Sequence, residues 1–264
     1  MSISRDFSRI SPSAKALLLV KARTSLPFAR QAAELLWGAQ AVDDAERESA
    51  GNPEAEVRRR HFEHRARSLD EALAHVGAAR VLEIAAGLSF RGLAMASSRP
   101  DVVYLDTDLP EIAAIKADLA ARLHPSPLAG TLRVQALDAL DDSAFRGAVR
   151  ELPSGPIAIV HEGLLMYLDD AEKARLAASV RAALLERGGA WLTADIYVRS
   201  KATVFREERT KKFLEEHRVE EKKFADWDAA EAFFVGSGFS IAKRVSHTAD
   251  PWRVRETWVL EPRA

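Results

Sequence analysis

Arg80-Val81-Leu82-Glu83-Ile84-Ala85-Ala86-Gly87 is the stretch on which the fold reading turns. A short aliphatic run passes without a break into three small residues, and a helical pattern from Phe90 to Ser97 follows. An apolar strand ending in a small-residue turn and a helix is the opening of a βα unit in a sheet covered on both faces. The unit recurs downstream. Val102-Val103-Tyr104-Leu105-Asp106 leads through Pro110 into a helix over Glu111 to Leu123, and Leu132-Arg133-Val134-Gln135-Ala136 into one around Ser143 to Glu151. Ile157-Ala158-Ile159-Val160 precedes a helix over Ala171 to Glu186, and Gly188-Gly189 leads into Ala190-Trp191-Leu192-Thr193-Ala194-Asp195.

The last quarter breaks the alternation. After a helix over Asp228 to Gly236 come two strands, Phe239 to Val245 and Glu256 to Leu260, separated by a turn holding Asp250-Pro251. Two successive strands without a helix between them pair antiparallel, because a parallel pair needs a long crossover. The pattern predicts an α/β fold: a doubly wound, Rossmann-like sheet, mostly parallel with one antiparallel C-terminal strand, the layout of class I methyltransferases. Upstream, residues 12–40 read as helix broken near Pro27, residues 41–56 as a polar connection ending in Gly51-Asn52-Pro53, and Arg58 to Val76 as a further helix. One domain is expected: a helical cap over 1–78, a ligand-binding core over 79–198, and substrate-side elements over 199–264.

Composition narrows the function. The 264 residues are 47% hydrophobic and 29% charged with net charge -1, enough for a large core and too little positive charge for phosphate-driven nucleic-acid binding. With no cysteine there is no disulfide, thiolate metal site or cysteine nucleophile. The seven histidines are scattered, so no metal is expected. Without an apolar leader or a run of about 20 apolar residues, the chain reads as cytoplasmic, with no membrane partner.

Ligands of such sheets bind beyond the C-terminal strand ends. Glu83 and the turn Ala85-Ala86-Gly87 stand at the first, where small residues admit a ligand to the backbone and an acid can take a cationic amine. Asp106 and Asp108 close the second; Asp108 suits ribose hydroxyls or a helix cap equally. Asp138, beyond the third, can accept from an exocyclic amine, although Asp141 and Asp142 compete as caps. His161 and Glu162 end the fourth, and since adjacent strand residues alternate in direction, only one of them should face the ligand.

Taken together, Val81 to Ser89, the run Tyr104-Leu105-Asp106-Thr107-Asp108-Leu109-Pro110-Glu111 with Lys116, and His161-Glu162-Gly163-Leu164-Leu165-Met166-Tyr167-Leu168 resemble the leucine carboxyl methyltransferase-like family of S-adenosylmethionine-dependent O-methyltransferases. Its bacterial members are often associated with natural-product biosynthesis. The resemblance implies S-adenosylmethionine as cofactor and S-adenosylhomocysteine as product. It implies Gly87 and Ala85 under the methionine part, Asp108 with Leu109 at the ribose, Asp138 with Ala139 at the adenine, and Glu162 at the methionyl end. Lys15, twelve residues before Pro27, would take the cofactor carboxylate, and Arg60, Phe62 and Arg65 match the family's Arg-x-aromatic-x-x-Arg element. Two departures stand out: Ala85 replaces a usual glycine, harmless if its φ is negative, and Ser89-Phe90-Arg91 replaces Asp-Thr-Arg.

A sulfonium methyl is already activated, so holding an acceptor oxygen in line supplies most of the rate. A carboxylate acceptor needs no base; a phenol or alcohol does. His161, Tyr167 and His247 are the candidate bases, and Arg60, Arg65, Tyr197, Arg199 and Lys201 could steer an anionic acceptor. The charged stretch from Phe205 to Lys223 is either a solvated helix or a lid. The expected partner is a small molecule and the expected state a monomer or weak dimer. A protein carboxylate as acceptor, a nicotinamide oxidoreductase and a non-catalytic binding module are the competing readings; the missing glycine fingerprint opposes the second.

Overall fold

The structure, a computed structural model, describes residues 11–124, 126–199, 212, 214–246 and 254–264. Its strands are β1 (Arg80–Glu83), β2 (Val103–Asp108), β3 (Thr131–Ala136), β4 (Ile157–His161), β5 (Gly189–Tyr197), β6 (Phe239–Ser246) and β7 (Arg255–Pro262). They form one sheet in the order β3-β2-β1-β4-β5-β7-β6. β1 to β5 are parallel, and β7 runs antiparallel between β5 and β6. The order reverses between β1 and β4, which opens a crevice above their C-terminal ends.

Side-chain alternation divides the core. Leu82, Leu105, Ile159, Trp191 and Leu260 face one side of the sheet. There they pack under α7 (Asp142–Glu151), α8 (Asp170–Arg187) and, after a single turn α9 (Val219–Lys222), α10 (Trp227–Gly236). Val81, Tyr104, Ala158, Val160, Leu192 and Val259 face the other side, against α4 (Pro53–Val76). Helix α4 has clear start and stop signals. Asn52 accepts from the amides of Glu54 and Ala55, Pro53 sits in the first turn, and Gly77 closes the end at φ +61°.

The N-terminal helices α1 (Ser11–Lys21), α2 (Ala29–Trp37) and α3 (Ala39–Ser49) pack with α5 (Arg91–Ser98) and α6 (Pro110–Leu123) around a separate apolar cluster including Leu18, Ala32, Val42, Phe90, Leu93 and Ile112. Helix α3 corrects the sequence reading, which treats 41–56 as a polar connection: one buried residue, Val42, docks an otherwise charged helix whose Asp43 and Glu46 pair with Arg30 of α2. A single apolar anchor leaves no periodic pattern to detect. The break at Pro27 and the one antiparallel strand form as expected.

Where β4 and β5 begin, Ile157 and Gly189 are register partners, and a Cβ on Gly189 (φ +107°) would lie 1.9 Å from the Ile157 carbonyl oxygen. Neither backbone can yield without breaking the ladder that sets the height of the β4 and β5 ends. Gly189→Ala should cost more than about 2 kcal/mol, read as a lower urea midpoint; an unchanged midpoint would show that this corner relaxes freely.

Candidate active site

The carboxyl ends of β1, β2 and β4 open into a cavity of about 880 Å³, with α1, α4 and the short 3-10 turn Leu165–Tyr167 on its far walls. Its size lies in the upper range for small-ligand sites, enough for a nucleoside-sized cofactor beside an acceptor.

Glu162 is its electrostatic centre. The carboxylate is buried and meets three cations from three elements: Lys21 Nζ of α1 at 2.7 Å, Arg65 Nε of α4 at 3.1 Å and Arg91 Nη2 of α5 at 2.9 Å. Burial alone would raise its pKa, but Lys21, Arg65 and Arg91 together hold it well below the usual carboxylate range. Burial also dominates at Lys21 and lowers its pKa, with Glu162 only partly compensating. Arg91 forks further, to Glu83 and to Asp70, and Glu83 also accepts from the Tyr104 hydroxyl.

The turn that presents Glu162 is held from behind. Asp195 of β5 is buried and accepts from the amides of Gly163 (2.6 Å), Leu164 and Leu165 (3.2 Å). Its Oδ2 also meets His161 Nδ1 at 3.0 Å. Burial pushes the Asp195 carboxyl up, but His161, Arg65 and the Leu164 amide together outweigh it, so its pKa lies below normal. The β5–β7 register shifts between Thr193 and Ile196, so the irregular stretch of β5 is the one that carries Asp195. Of the adjacent pair, Glu162 lines the cavity; His161 is fully buried against Trp191, with ring centroids 5.6 Å apart, and does not.

At the end of β2, the Asp108 carboxylate accepts from the amides of Gly87 (2.6 Å) and Leu109 (2.7 Å). Each oxygen keeps a second lone pair for a ligand hydroxyl, so capping and ligand contact are compatible. Burial raises its pKa against those two amides. The capping role that competes with Asp138 falls to Asp141, which starts α7 by accepting from Ser143 and Ala144, while Asp138 lines the cavity. Lys116 meets Asp106 at 2.6 Å; burial pushes that carboxyl up to about 7 against the pull of the lysine.

Of the residues singled out in the sequence, Lys15, Arg65, Ala85, Gly87, Asp108, Leu109, Asp138, Ala139, Glu162, Tyr167 and Tyr197 line this one cavity. Four others do not. Glu83 lies beneath it, bound to Arg91 and Tyr104; Arg60 is half exposed beside Glu56; Arg199 is exposed and donates to the Glu221 carbonyl; His161 faces the opposite side of the sheet. Lys201, His247 and the first part of the stretch from Phe205 (205–211, with 213) lie outside the described residues. Ala85 has φ +49°, so the condition of a negative φ fails, and an alanine holds a left-handed position that glycine occupies without strain. Lys21 and His61, both on the cavity, escape the sequence reading. The available signal was polar residues on buried helical faces: Lys21 with Leu18 on α1, and His61, Arg65 and Ser68 with Leu69 and Ala72 on α4.

Comparison with known proteins agrees with this architecture. The family model for leucine carboxyl methyltransferase matches residues 5–181. Among solved structures, a DUF574 family protein from Streptomyces avermitilis is similar with a TM-score of 0.59 at 17% identity, covering 96% of this chain and 97% of that one. An O-methyltransferase family protein from Burkholderia thailandensis (TM-score 0.54, 15% identity, 97% and 68% coverage) shares the fold. So does the N,N-8-amino-8-demethyl-D-riboflavin dimethyltransferase RosA from Streptomyces davawensis (TM-score 0.52, 18% identity, 95% and 69%). No curated protein matches in sequence. The fold and crevice are those of a class I methyltransferase. The chain belongs to the leucine carboxyl methyltransferase family and is an S-adenosylmethionine-dependent methyltransferase. Among the described residues, no helix is long and apolar enough to cross a membrane, and no cluster of metal-ligating side chains occurs.

Two consequences follow for stability. Glu162→Gln leaves three buried cations without their shared carboxylate, a loss of about 3–5 kcal/mol at pH 7. Because the folded pKa of Glu162 is depressed, its contribution is complete above the unfolded value of about 4.3 and fades as pH falls through the folded one. Urea melts of wild type and variant should therefore converge on acidification from pH 5 to pH 3; a gap that stays constant refutes the charge account. Ala85→Gly should relieve the left-handed alanine and gain about 1 kcal/mol at most, a Tm rise of about 2–4 °C by calorimetry.

Proposed function

We propose that the chain is an O-methyltransferase that binds S-adenosylmethionine in this cavity and methylates a carboxylate or an acidic hydroxyl of a small molecule. The observation that carries the reading is the pairing of Asp108 and Glu162 at the ends of β2 and β4, facing one cavity. The residues fit the cofactor chemically. The cluster of Glu162 with Lys21 and Arg65 offers both signs of charge to a zwitterionic amino-acid end. Asp108 has lone pairs to spare for ribose hydroxyls, and Asp138, which lines the same cavity beside Ala139, can accept from an adenine amine. A Cβ on Gly87 would meet nothing nearer than Ala14 Cβ at 3.8 Å, so the turn leaves room for close approach.

The cofactor, when bound, supplies a methyl group on a positively charged sulfur. The chain's part is to orient that end through Glu162, to exclude water beneath α1 and α4, and to hold the acceptor oxygen in line. Arg65, Tyr167 and Tyr197 are assigned to the acceptor side, Lys15 to the cofactor side with Lys21 deeper in. The reading includes a small-molecule partner, one domain, a cytoplasmic site of action, and a monomer or weak dimer.

Calorimetric titration with S-adenosylhomocysteine tests it. Wild type should bind in the micromolar range, and Asp108→Asn should lose at least tenfold while keeping its melting temperature within a few degrees. A folded wild-type protein that binds neither S-adenosylhomocysteine nor S-adenosylmethionine would overturn the reading.

A further inference from the structure

One hydrogen-bonded chain runs along the cavity wall past Glu162. Arg65, anchored on Glu162 through Nε, extends Nη1 to the Tyr197 hydroxyl at 3.3 Å, and that hydroxyl meets His61 Nε2 at 2.9 Å. His61 and Tyr197 are buried in the fold yet both line the cavity, and His61 is its only histidine among the described residues. Tyr197 ends β5, next to the strand that presents Glu162. The Phe62 ring of α4 lies against His61 and Arg65, and Met166 of the 3-10 turn also lines the cavity.

The chemistry of the chain is directional. A guanidinium only donates, so Tyr197 Oη accepts from Arg65, and the phenol's own proton is left for His61 Nε2 or for a group in the cavity. Burial raises the Tyr197 pKa, opposed by Arg65 and Arg255, so the phenol keeps that proton at neutral pH. The charged and titratable groups facing it are His61 and Arg65 from α4, Arg255 from β7, Asp195 from its own strand, Tyr167 from the 3-10 turn and Lys223 over its ring at 6.0 Å. Glu162 compensates the Arg65 charge, which lowers the cost of a second cation forming at His61.

We propose that His61 and Tyr197 form a proton relay that serves a hydroxyl acceptor of phenol-like acidity, which selects that class over a carboxylate. The acceptor O–H proton passes to Tyr197 Oη as the Tyr197 proton passes to His61 Nε2, giving an imidazolium that later returns its proton to water. The acceptor's electron pair then forms the bond to the methyl carbon as the methyl–sulfur bond breaks, and that pair stays on sulfur. An acceptor that is already ionised has no use for such a base. The inference rests on the methyltransferase reading above and narrows it.

The test is spectroscopic and needs no turnover. 4-Nitrophenol, whose ionised form absorbs in the visible, is titrated into protein saturated with S-adenosylhomocysteine, about one pH unit below the phenol's pKa in solution. The sulfur of that ligand is uncharged, so ionisation of the bound phenol reports the protein's own groups. Wild type should bind the phenol largely ionised. Tyr197→Phe and His61→Gln, with S-adenosylhomocysteine affinity within about threefold of wild type, should lower the ratio of ionised to neutral bound phenol at least tenfold. Equal ionisation in the variants, or uptake of benzoate by wild type without uptake of 4-nitrophenol, overturns the relay. Failure of wild type to bind S-adenosylhomocysteine instead overturns the cofactor reading on which it rests.

Discussion

A carboxylate buried at the end of a central strand cannot remain ionised unless cations follow it inside, and Glu162 draws in three. The desolvation of each ion costs several kcal/mol, repaid only by close geometry. Lys21, Arg65 and Arg91 supply that geometry from α1, α4 and α5, elements separated by up to 70 positions in the chain. The N-terminal helices are therefore fastened to the sheet at a carboxylate that also lines the cavity. Fold and site share one set of bonds here, and changing Glu162 for functional reasons changes how the cap is seated.

That cluster in turn depends on support that never touches the cavity. Asp195 collects the amides of three successive residues and so fixes the turn from which Glu162 projects. Arg91, seated on Glu83 and Asp70, is rigid because its partners are. Glu83 is fully buried and bonded by Tyr104 as well, so its strand-end position gives it a structural part. An acid at a β-strand end can face a ligand or brace the residue that does, and side-chain alternation decides which: Glu83 braces and Glu162 faces.

The sheet was legible because its signals are local. Short runs bounded by glycine or proline mark most strands, and two successive strand patterns with no helical pattern between them in the sequence mark the reversed one. That Asp108, Asp138 and Glu162 share one cavity was legible because they stand at the strand ends, the open edge of this topology. What escaped depends on three-dimensional arrangement. Lys21 and Lys15 both lie on basic-residue spacings in α1, and only helix orientation puts Lys21 against the carboxylate while Lys15 meets Glu111 near the surface. His61 is silent in the sequence because a histidine on a mostly charged helix looks solvated; it is buried because α4 packs across β5 and β7. The condition set on Ala85 fails, and a residue name does not disclose the sign of φ.

The charge balance of the wall bears on what it can receive. Lys21, Arg65 and Arg91 are matched by Glu162, Glu83 and Asp70, three positive groups against three negative, so the cluster at and behind this part of the wall is internally neutral. A zwitterionic amino-acid end can enter it by exchanging ion pairs without adding net charge, and each new pair replaces one that is loosened. A second anion placed beside it would find these three cations already engaged. On the proposed relay, a neutral hydroxyl whose proton passes to His61 avoids that conflict, because it enters uncharged and the imidazolium formed beside it balances the charge it develops. The electrostatics that seat the cap on the sheet therefore favour an acceptor that enters uncharged.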